Sequence, residues 1–437
     1  MNGWPTRPLG EIATNFDSRR VPLSSREREK RKGPYPYYGA TGIMDYIDDY
    51  LFDGLYVLIA EDGSVERENG TPFVQLVKGK FWVNNHAHVL KAATDTDTKF
   101  LYYALSTIQI RLYLTGSVQP KLNQTNLNRI PIPFPPESYR QAIVYILGTL
   151  DDKIELNRRM NETLEEIAKA IFKSWFVDFA PVIDNALKAG NPIPDALAEK
   201  AARRRAISTP KLSPEIARLF PDSFEDSPLG PVPQGWRVKR VSDLGKVVCG
   251  KTPPTKDKTN YGKEVPFITI PDMHGKVFVV QTTKYLSKKG ADLQSNKYLP
   301  PYSICVSCIA TPGLVVMTSE ISQTNQQINS VIPYKEISPF FAFLTLKILG
   351  KEIMQIGSGG SVFTNLSKSR FENLNILMPP NNLIKIFHEH IASLFLSILN
   401  NEKEILNLAN IRDTLLPKLI SGQIRIKDAE KFVEEVL

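Results

Sequence analysis

The chain has only three cysteines among 437 residues. So small and odd a number cannot build a disulfide framework, which excludes a stapled secreted scaffold and points to a reducing cytoplasm. Long apolar runs are also missing. Met1 to Gly10 has no hydrophobic stretch of the kind a signal peptide carries, and no run approaches the roughly 20 apolar residues that cross a bilayer. The reading is a soluble, cytoplasmic protein without a membrane partner. Acidic residues fall short of basic ones, 46 against 54, giving a formal charge of +8 and a pI near 9.1. Such a balance favours a polyanion, because Lys and Arg gain by displacing counterions from nucleic acid.

What the chain does have is length, a 42% hydrophobic content that can fill two or three cores, and a long-range repeat. The run from Arg129 to Pro136 is answered by Asn373 to Pro380, an offset of 244. Gly116-Ser117-Val118-Gln119-Pro120-Lys121-Leu122 resembles Gly357 to Leu366, with Leu122 and Leu366 again 244 apart. Pro8-Leu9-Gly10-Glu11-Ile12 is echoed by Asp243 to Val247 at an offset of 235, so the second copy is longer by about nine residues. Each half begins with short apolar segments such as Tyr56 to Ile59 and Pro266 to Ile270, bounded by turn residues as buried strands are. Each then reaches a Pro-Pro stop and a long helical stretch. Between the halves, Pro181 to Gln234 is rich in Pro, Ser and charge, the composition of a linker with one short helix.

The two helical stretches carry one heptad seam. Ile143, Leu147, Leu150, Ile154, Asn157, Asn161, Leu164, Ala168, Ile171 and Trp175 alternate steps of four and three, and adding 244 to the positions from Leu147 onward gives Ile391, Leu394, Ile398, Asn401, Ile405, Leu408, Arg412, Leu415 and Leu419. An amphipathic helix can also pack on its own domain, but two helices in one register in a doubled chain point to packing on each other. Asn157 and Asn401 hold the same seam position near mid-helix. An Asn in a seam fixes register at a cost in stability. An antiparallel pair about a pseudo-two-fold axis would bring these two amides together. A helix of about 39 residues spans roughly 58 Å, well over one turn of DNA.

Candidate nucleic-acid contacts cluster at polar and basic loops. Arg19, Arg20, Arg26, Lys30, Arg31 and Lys32 lead into an aromatic and Gly-rich stretch with Tyr38 and Thr41. Lys and Arg neutralise phosphates, and Arg also pairs with guanine. Asn84, Asn85 and His86, in a run that ends at His88, offer amide and imidazole groups to base edges, and Ser117, Gln119 and Lys121 form a further polar loop. The matching loop of the second half holds Ser358, Ser361 and Thr364, and Gln323, Asn325 and Gln326 lie near the place equivalent to the Asn84 run. The second half adds Lys251, Thr252, Thr255, Lys256, Lys258, Asn260 and Tyr261. Solvated basic loops and buried structural amides are the alternatives for each.

The stretch Leu150-Asp151-Asp152-Lys153-Ile154-Glu155-Leu156-Asn157-Arg158-Arg159-Met160-Asn161, continuing through Ala170 to Phe179, closely resembles the central helical region of type I restriction-modification specificity subunits. Pro214 to Pro221, Gly230 to Trp236 and Arg412 to Gly422 resemble the same family, and Lys251 to Tyr261 resembles its Thr-Pro loop, a place for phosphate contact. One departure is Tyr139-Arg140, where the family often has Glu-Gln after the Pro-Pro pair. The resemblance implies an α+β protein with two β-rich target recognition domains joined by two long antiparallel helices in a pseudo-two-fold arrangement. Its parts would be recognition domains at 1–136 and 235–380, spacer helices at 137–180 and 381–422, a linker at 181–234 and a tail at 423–437. It implies a non-catalytic chain that reads a bipartite double-stranded DNA target. Partners would be two modification subunits and the restriction or translocase subunits, with S-adenosylmethionine, ATP and Mg held there and no cofactor in this chain.

Three local patterns compete with that reading. Gly245-Lys246-Val247-Val248-Cys249-Gly250-Lys251-Thr252 formally fits a P-loop, which would give the chain its own nucleotide site at Lys251. However, Pro253-Pro254 follow at once and bar the helix whose amides would face phosphate. Cys305-Val306-Ser307-Cys308 has CxxC spacing without a second pair, as core thiols would. His388 and His390 point to different helix faces and form no metal pair. No Asn-Pro-Pro-aromatic tetrapeptide or Gly-rich cofactor loop occurs. A scaffold or antirestriction protein that binds the modification subunits without reading DNA is the third reading.

Overall fold

Apolar and aromatic runs bounded by Gly and Pro become the strands, and the two seams become the long helices. The computed structural model describes residues 4–116, 119–206, 212–309, 311–358 and 366–434. The chain divides into two compact units, Met1–Ile154 with Asn407–Leu437, and Glu155–Leu406. The long helices, Glu137–Phe176 and Asn381–Ser421, each contribute one part to either unit.

The first unit contains β1 (Thr6–Pro8), β2 (Ala13–Asn15), β3 (Lys32–Tyr38), β4 (Ile43–Ile47), β5 (Phe52–Ala60), β6 (Val74–Val83), β7 (Ala87–Ala92) and β8 (Pro131–Pro133). A six-stranded sheet runs β2-β7-β5-β6-β3-β4, and β1 pairs antiparallel with β8. On the sheet Phe52 and Phe81 stack at 5.2 Å, with Tyr56 edge-on to both. The helix Asp95–Leu105 packs on β5, β6 and β7, its start capped by the Thr94 side chain. Tyr139-Arg140 lies in the first turn of the first long helix. Arg140 is buried, pairs with Asp97 at 2.6 Å and lies 4.0 Å over the Phe134 ring.

The second unit contains β9 (Phe224–Glu225), β10 (Val232–Pro233), β11 (Arg237–Arg240), β12 (Gly245–Cys249), β13 (Tyr261–Ile268), β14 (Phe278–Val279), β15 (Lys284–Leu286), β16 (Ile304–Ser307), β17 (Val315–Thr318), β18 (Gln323–Thr324), β19 (Ile328–Pro333) and β20 (Asn375–Met378). Its main sheet runs β12-β19-β16-β17-β14, beside a second sheet β15-β13-β18. The order β12-β19-β16-β17 repeats β2-β7-β5-β6, and β11 with β20 repeats β1 with β8. The class is α+β, with a β-rich domain in each unit. The helices and this domain share one core, in which Phe340 stacks on Phe395 at 4.6 Å and Phe387 meets Phe172, Trp175, Phe176 and Phe341.

Backbone pairing corrects the repeat offset. The N–H of Leu9 donates to the Ile130 carbonyl and that of Val241 to the Leu374 carbonyl, so Leu9 matches Val241, 232 residues on. The Leu-Gly likeness at 235 is a chance match three residues out of step.

The seam residues are buried or half-buried along both helices, which pack antiparallel. Within the second unit Asn157 Nδ2 donates to Glu404 Oε2 at 2.9 Å and Asn401 Nδ2 to Asn161 Oδ1 at 2.9 Å. Within the first, Arg412 Nη1 donates to Asp151 Oδ1 at 2.7 Å, and Asp151 also accepts from the Tyr103 hydroxyl. The numbers of each facing pair add to 561, 562 or 563, so one register runs through all three. The expected meeting of Asn157 with Asn401 is therefore corrected. With pairs adding to about 562 and copies 244 apart, the repeat centres on residues 159 and 403. The two amides flank that centre, one helical turn apart, and each takes a different partner.

The linker holds more structure than expected. Helices Ala180–Ala189 and Ala198–Ala206, a turn at Pro214–Ala217 and the β9–β10 pair occupy it. Val182, Ile183, Ala186, Leu197, Ala201 and Phe220 are buried, and Gly190, at φ +75°, ends the first helix in the left-handed conformation that glycine adopts freely. The tail likewise forms a helix, Ile426–Glu434, which buries Ala429 and Val433. One further expectation needs amending. The second long helix contains an 18-residue window of mean hydropathy 1.2, long and apolar enough to cross a membrane by composition alone. In this fold Ile391, Phe395, Ile398 and Leu399 from that helix lie in the core.

Glu402 is a costly member of the helix. Its Oε1 accepts the Val277 and Phe278 N–H groups at 3.1 and 3.2 Å, and its enclosed Oε2 finds no partner among the described residues. Burial pushes this carboxyl up to about 7, with the Glu165 charge adding to the rise, against the backbone N–H groups and Lys276. The folded state thus holds the proton more tightly than the unfolded one, so the contribution of this group to stability falls as pH rises from about 4.5 to 7. Glu402→Gln keeps the acceptor oxygen and is expected to raise stability by about 2 kcal/mol at pH 8 and to change it little at pH 5. Denaturant midpoints at the two pH values measure this, and equal effects at both would contradict it.

Candidate nucleic-acid interface

In the first unit, β2 leads into a loop whose basic residues have divergent roles. Arg19 is exposed, donates from Nη2 to the Leu51 carbonyl at 2.7 Å and lies over the Phe52 ring. Arg20 turns inward. Its Nη1 lies 2.7 Å from Glu61 Oε2 and its Nη2 3.4 Å from Asp17 Oδ2, and its side chain is 14% exposed. Asp17 also meets His88 Nδ1, whose Nε2 lies 2.7 Å from the Leu122 carbonyl oxygen, and Lys121 Nζ lies 3.0 Å from Glu61 Oε1. Burial alone would raise the Asp17 carboxyl. The His88 hydrogen bond and charge, with the Val89 N–H, outweigh it and hold this carboxyl below its usual range. Burial works against Glu61 too, and Arg20 and Lys121 outweigh it. Asp17, Glu61 and His88 place three possible metal ligands within 4.8 Å of one another. Arg20 and Lys121 already supply the positive charge a cation would bring, so the cluster is a closed ion network.

The rest of the basic run sits on the surface. A capping box of Ser24 and Glu27 starts the helix Ser25–Lys30, which carries Arg26 and Lys30 exposed. Arg31 pairs with Asp48 at 2.9 Å and Lys32 with Asp45 at 2.6 Å. Tyr38 is half-buried with its ring edge-on to Phe81, and Thr41 is exposed in the turn before β4. Between β6 and β7, Asn84 is buried while Asn85 and His86 are exposed, His86 bonding Asp62. Gln119 is exposed, and Ser117 lies outside the described residues.

In the second unit the Lys251, Thr255, Lys256 and Lys258 side chains are exposed along an irregular loop. Gly245–Cys249 is a strand paired with β19, and no helix opens at Lys251, so the P-loop geometry is not formed. Asn260 is buried and donates from Nδ2 to the Pro254 carbonyl at 3.0 Å, and Tyr261 donates to the Pro253 carbonyl. Gln323 is buried and bonds the Ala291 carbonyl and Gln294. Asn325 is buried beside Gln327, whereas Gln326 is exposed and accepts from the Thr252 hydroxyl at 2.6 Å. Ser358 ends the helix Pro339–Ser358, and Ser361 and Thr364 lie outside the described residues. Cys305 and Cys308 are buried core thiols that burial pushes up to about 12 and about 11.

The sequence reading missed the Asp17–Glu61–His88 network, because its members are distant in the chain. It also ran buried and exposed amides together, although the strand pattern on either side separates them. What remains is a surface in each unit made of loops that join β-strands, with cations and carboxamides pointing outward. That arrangement can contact phosphates and base edges.

The family model described as type I restriction modification DNA specificity domain matches residues 1–166 and 233–410. A type I restriction enzyme HindI specificity subunit of Haemophilus influenzae is 44% identical over 328 residues, 70% of this chain and 71% of its own length. The MjaIX specificity subunit of Methanocaldococcus jannaschii is 26% identical over 82% of this chain and 76% of its own. In fold, the chain resembles the crystal structure of a type I restriction-modification S subunit from M. genitalium, with TM-score 0.54 and 17% identity over 95% of this chain and 96% of that one. With both recognition halves matched, this chain belongs to the type I restriction-modification DNA specificity family.

Proposed function

We propose that the chain reads a bipartite double-stranded DNA target, one half with each recognition domain, within a cytoplasmic assembly. It docks modification subunits that methylate adenine with S-adenosylmethionine, and restriction subunits that use ATP and Mg. The chain itself holds no cofactor and performs no bond chemistry. The observation that carries this reading is the doubling: the same strand order occurs in both units, and the two long helices keep one antiparallel register wherever they pair. A doubled reader joined by rigid helices suits a target made of two fixed parts with an unread gap. Helix length would then fix that gap.

The test removes one heptad from each long helix at facing positions, which preserves the seam and shortens each rod by about 10 Å. The assembled enzyme is expected to keep both half-sites and to close the gap by about three base pairs. Mapping the methylated adenines in DNA treated with the variant reads the result. An unchanged gap would sink the spacer role.

A further inference from the structure

We infer that Asn85 and Gln326 are matching base-reading positions, one in each recognition domain, each suited to the major-groove edge of adenine. The inference rests on the reading above and adds to it which side chains are presented. The two halves build the same turn. In the first, the N–H of Asn84 donates to the Tyr38 carbonyl at 3.0 Å, and Asn84 Oδ1 accepts the His86 N–H at 2.8 Å. In the second, the N–H of Asn325 donates to the Ile268 carbonyl at 3.3 Å, and Asn325 Oδ1 accepts the Gln327 N–H at 3.1 Å.

The flanks agree as well. Just before the turn, Tyr38 pairs with Val83 in a parallel bridge, and Ile268 pairs with Thr324 in another. Just after it come β7 and β19, each paired antiparallel on both sides. Asn84 and Asn325 are therefore the same residue of the repeat, 241 positions apart. Both are buried, at 4% and 9% exposure, and serve the turn itself.

The next residue, Asn85 or Gln326, stands exposed at the apex. Each apex is braced from the same place in its domain. Arg20 donates to the Asn85 and Ala87 carbonyls at 3.3 and 2.8 Å, and Thr252, its counterpart 232 residues on, donates to Gln326 Oε1 at 2.6 Å. A carboxamide on a braced turn is held before DNA arrives, which is what discrimination by hydrogen bonds requires. Asn and Gln match adenine through an oxygen that accepts from N6 and an N–H that donates to N7. The bond from Thr252 leaves the second lone pair of Gln326 Oε1 for that purpose. The residue before each brace is an exposed cation, Arg19 or Lys251, whose charge suits backbone phosphate.

The experiment uses the chain assembled with its modification subunits and a library of randomised duplexes, from which bound sequences are recovered and counted. Asn85→Ala is expected to relax one A·T position in one half-site, and Gln326→Ala one A·T position in the other. Each should lower discrimination there about 5- to 100-fold, with thermal melting as in the parent. Asn84→Ala, which removes a turn acceptor, should instead lower melting. Variants that keep the parent preference, or that weaken all sequences equally, would overturn the assignment. A parent assembly with no sequence preference would overturn the function reading instead.

Discussion

Phe387→Ala is expected to lower the stability of the second unit by about 3–5 kcal/mol, the range for emptying a fully buried aromatic site. Phe387 has no exposed surface and lies at the centre of a ring cluster, 4.9 Å from Phe176, 5.7 Å from Phe172 and from Trp175, and 6.4 Å from Phe341. Three of these contacts, with Phe172, Phe176 and Phe341, are edge-to-face, a geometry that adds to area burial. The surroundings cannot collapse easily into the void, because the rings come from both long helices and from the recognition domain. Tyr145→Ala, on the outer face of the first long helix and 70% exposed, should change stability by under about 0.5 kcal/mol. Denaturant midpoints of the two variants decide the matter. A Phe387→Ala cost below about 1 kcal/mol would mean that the cluster does not hold the helices to the domain.

The long helices were legible in the sequence where some of their details were not, for a physical reason. Ile143, Leu147, Leu150 and Ile154 announce their helix because a seam repeats locally, every three or four residues, and needs no knowledge of the partner. The placement of Asn157 depends on the stagger of two helices, which no single helix encodes. Packing sets that stagger, and the amides settled on Glu404 and Asn161. The linker was hidden by its composition. Pro, Ser and charge mask short helices whose few apolar residues, such as Val182 and Phe220, find a core only when the chain closes. At the candidate interface, Asn84 and Asn85 look alike as letters. The Tyr38 carbonyl, 46 residues earlier in the chain, makes the first structural and leaves the second free.

Arg20 presents the same problem with charge, and its removal should separate two roles that the sequence cannot. In the fold its guanidinium serves two carboxylates, Asp17 and Glu61, with side-chain exposures of 11% and 12%. Arg20→Ala would leave these to His88 and Lys121 alone, and stripping one partner from a buried ion network costs roughly 3–5 kcal/mol. The sign of the pH dependence follows from the carboxyls. Both are held below their usual range, so their stabilising share is present above about pH 4 and is lost as pH falls through the lowered values. The damage done by Arg20→Ala should therefore be greatest near neutrality and should shrink in acid, where the unpaired carboxyls protonate. Arg20→Lys should fall between, since an ammonium keeps the charge but loses the planar fork that reaches Glu61 and the Ala87 carbonyl together. A phosphate contact predicts the opposite pattern: Arg20→Ala would melt like the parent, bind every duplex more weakly, and flatten the salt dependence by about one ion. Melting curves between pH 3 and 8 beside duplex binding at two salt concentrations distinguish the two, and an unshifted melting temperature at neutral pH would return Arg20 to the DNA surface.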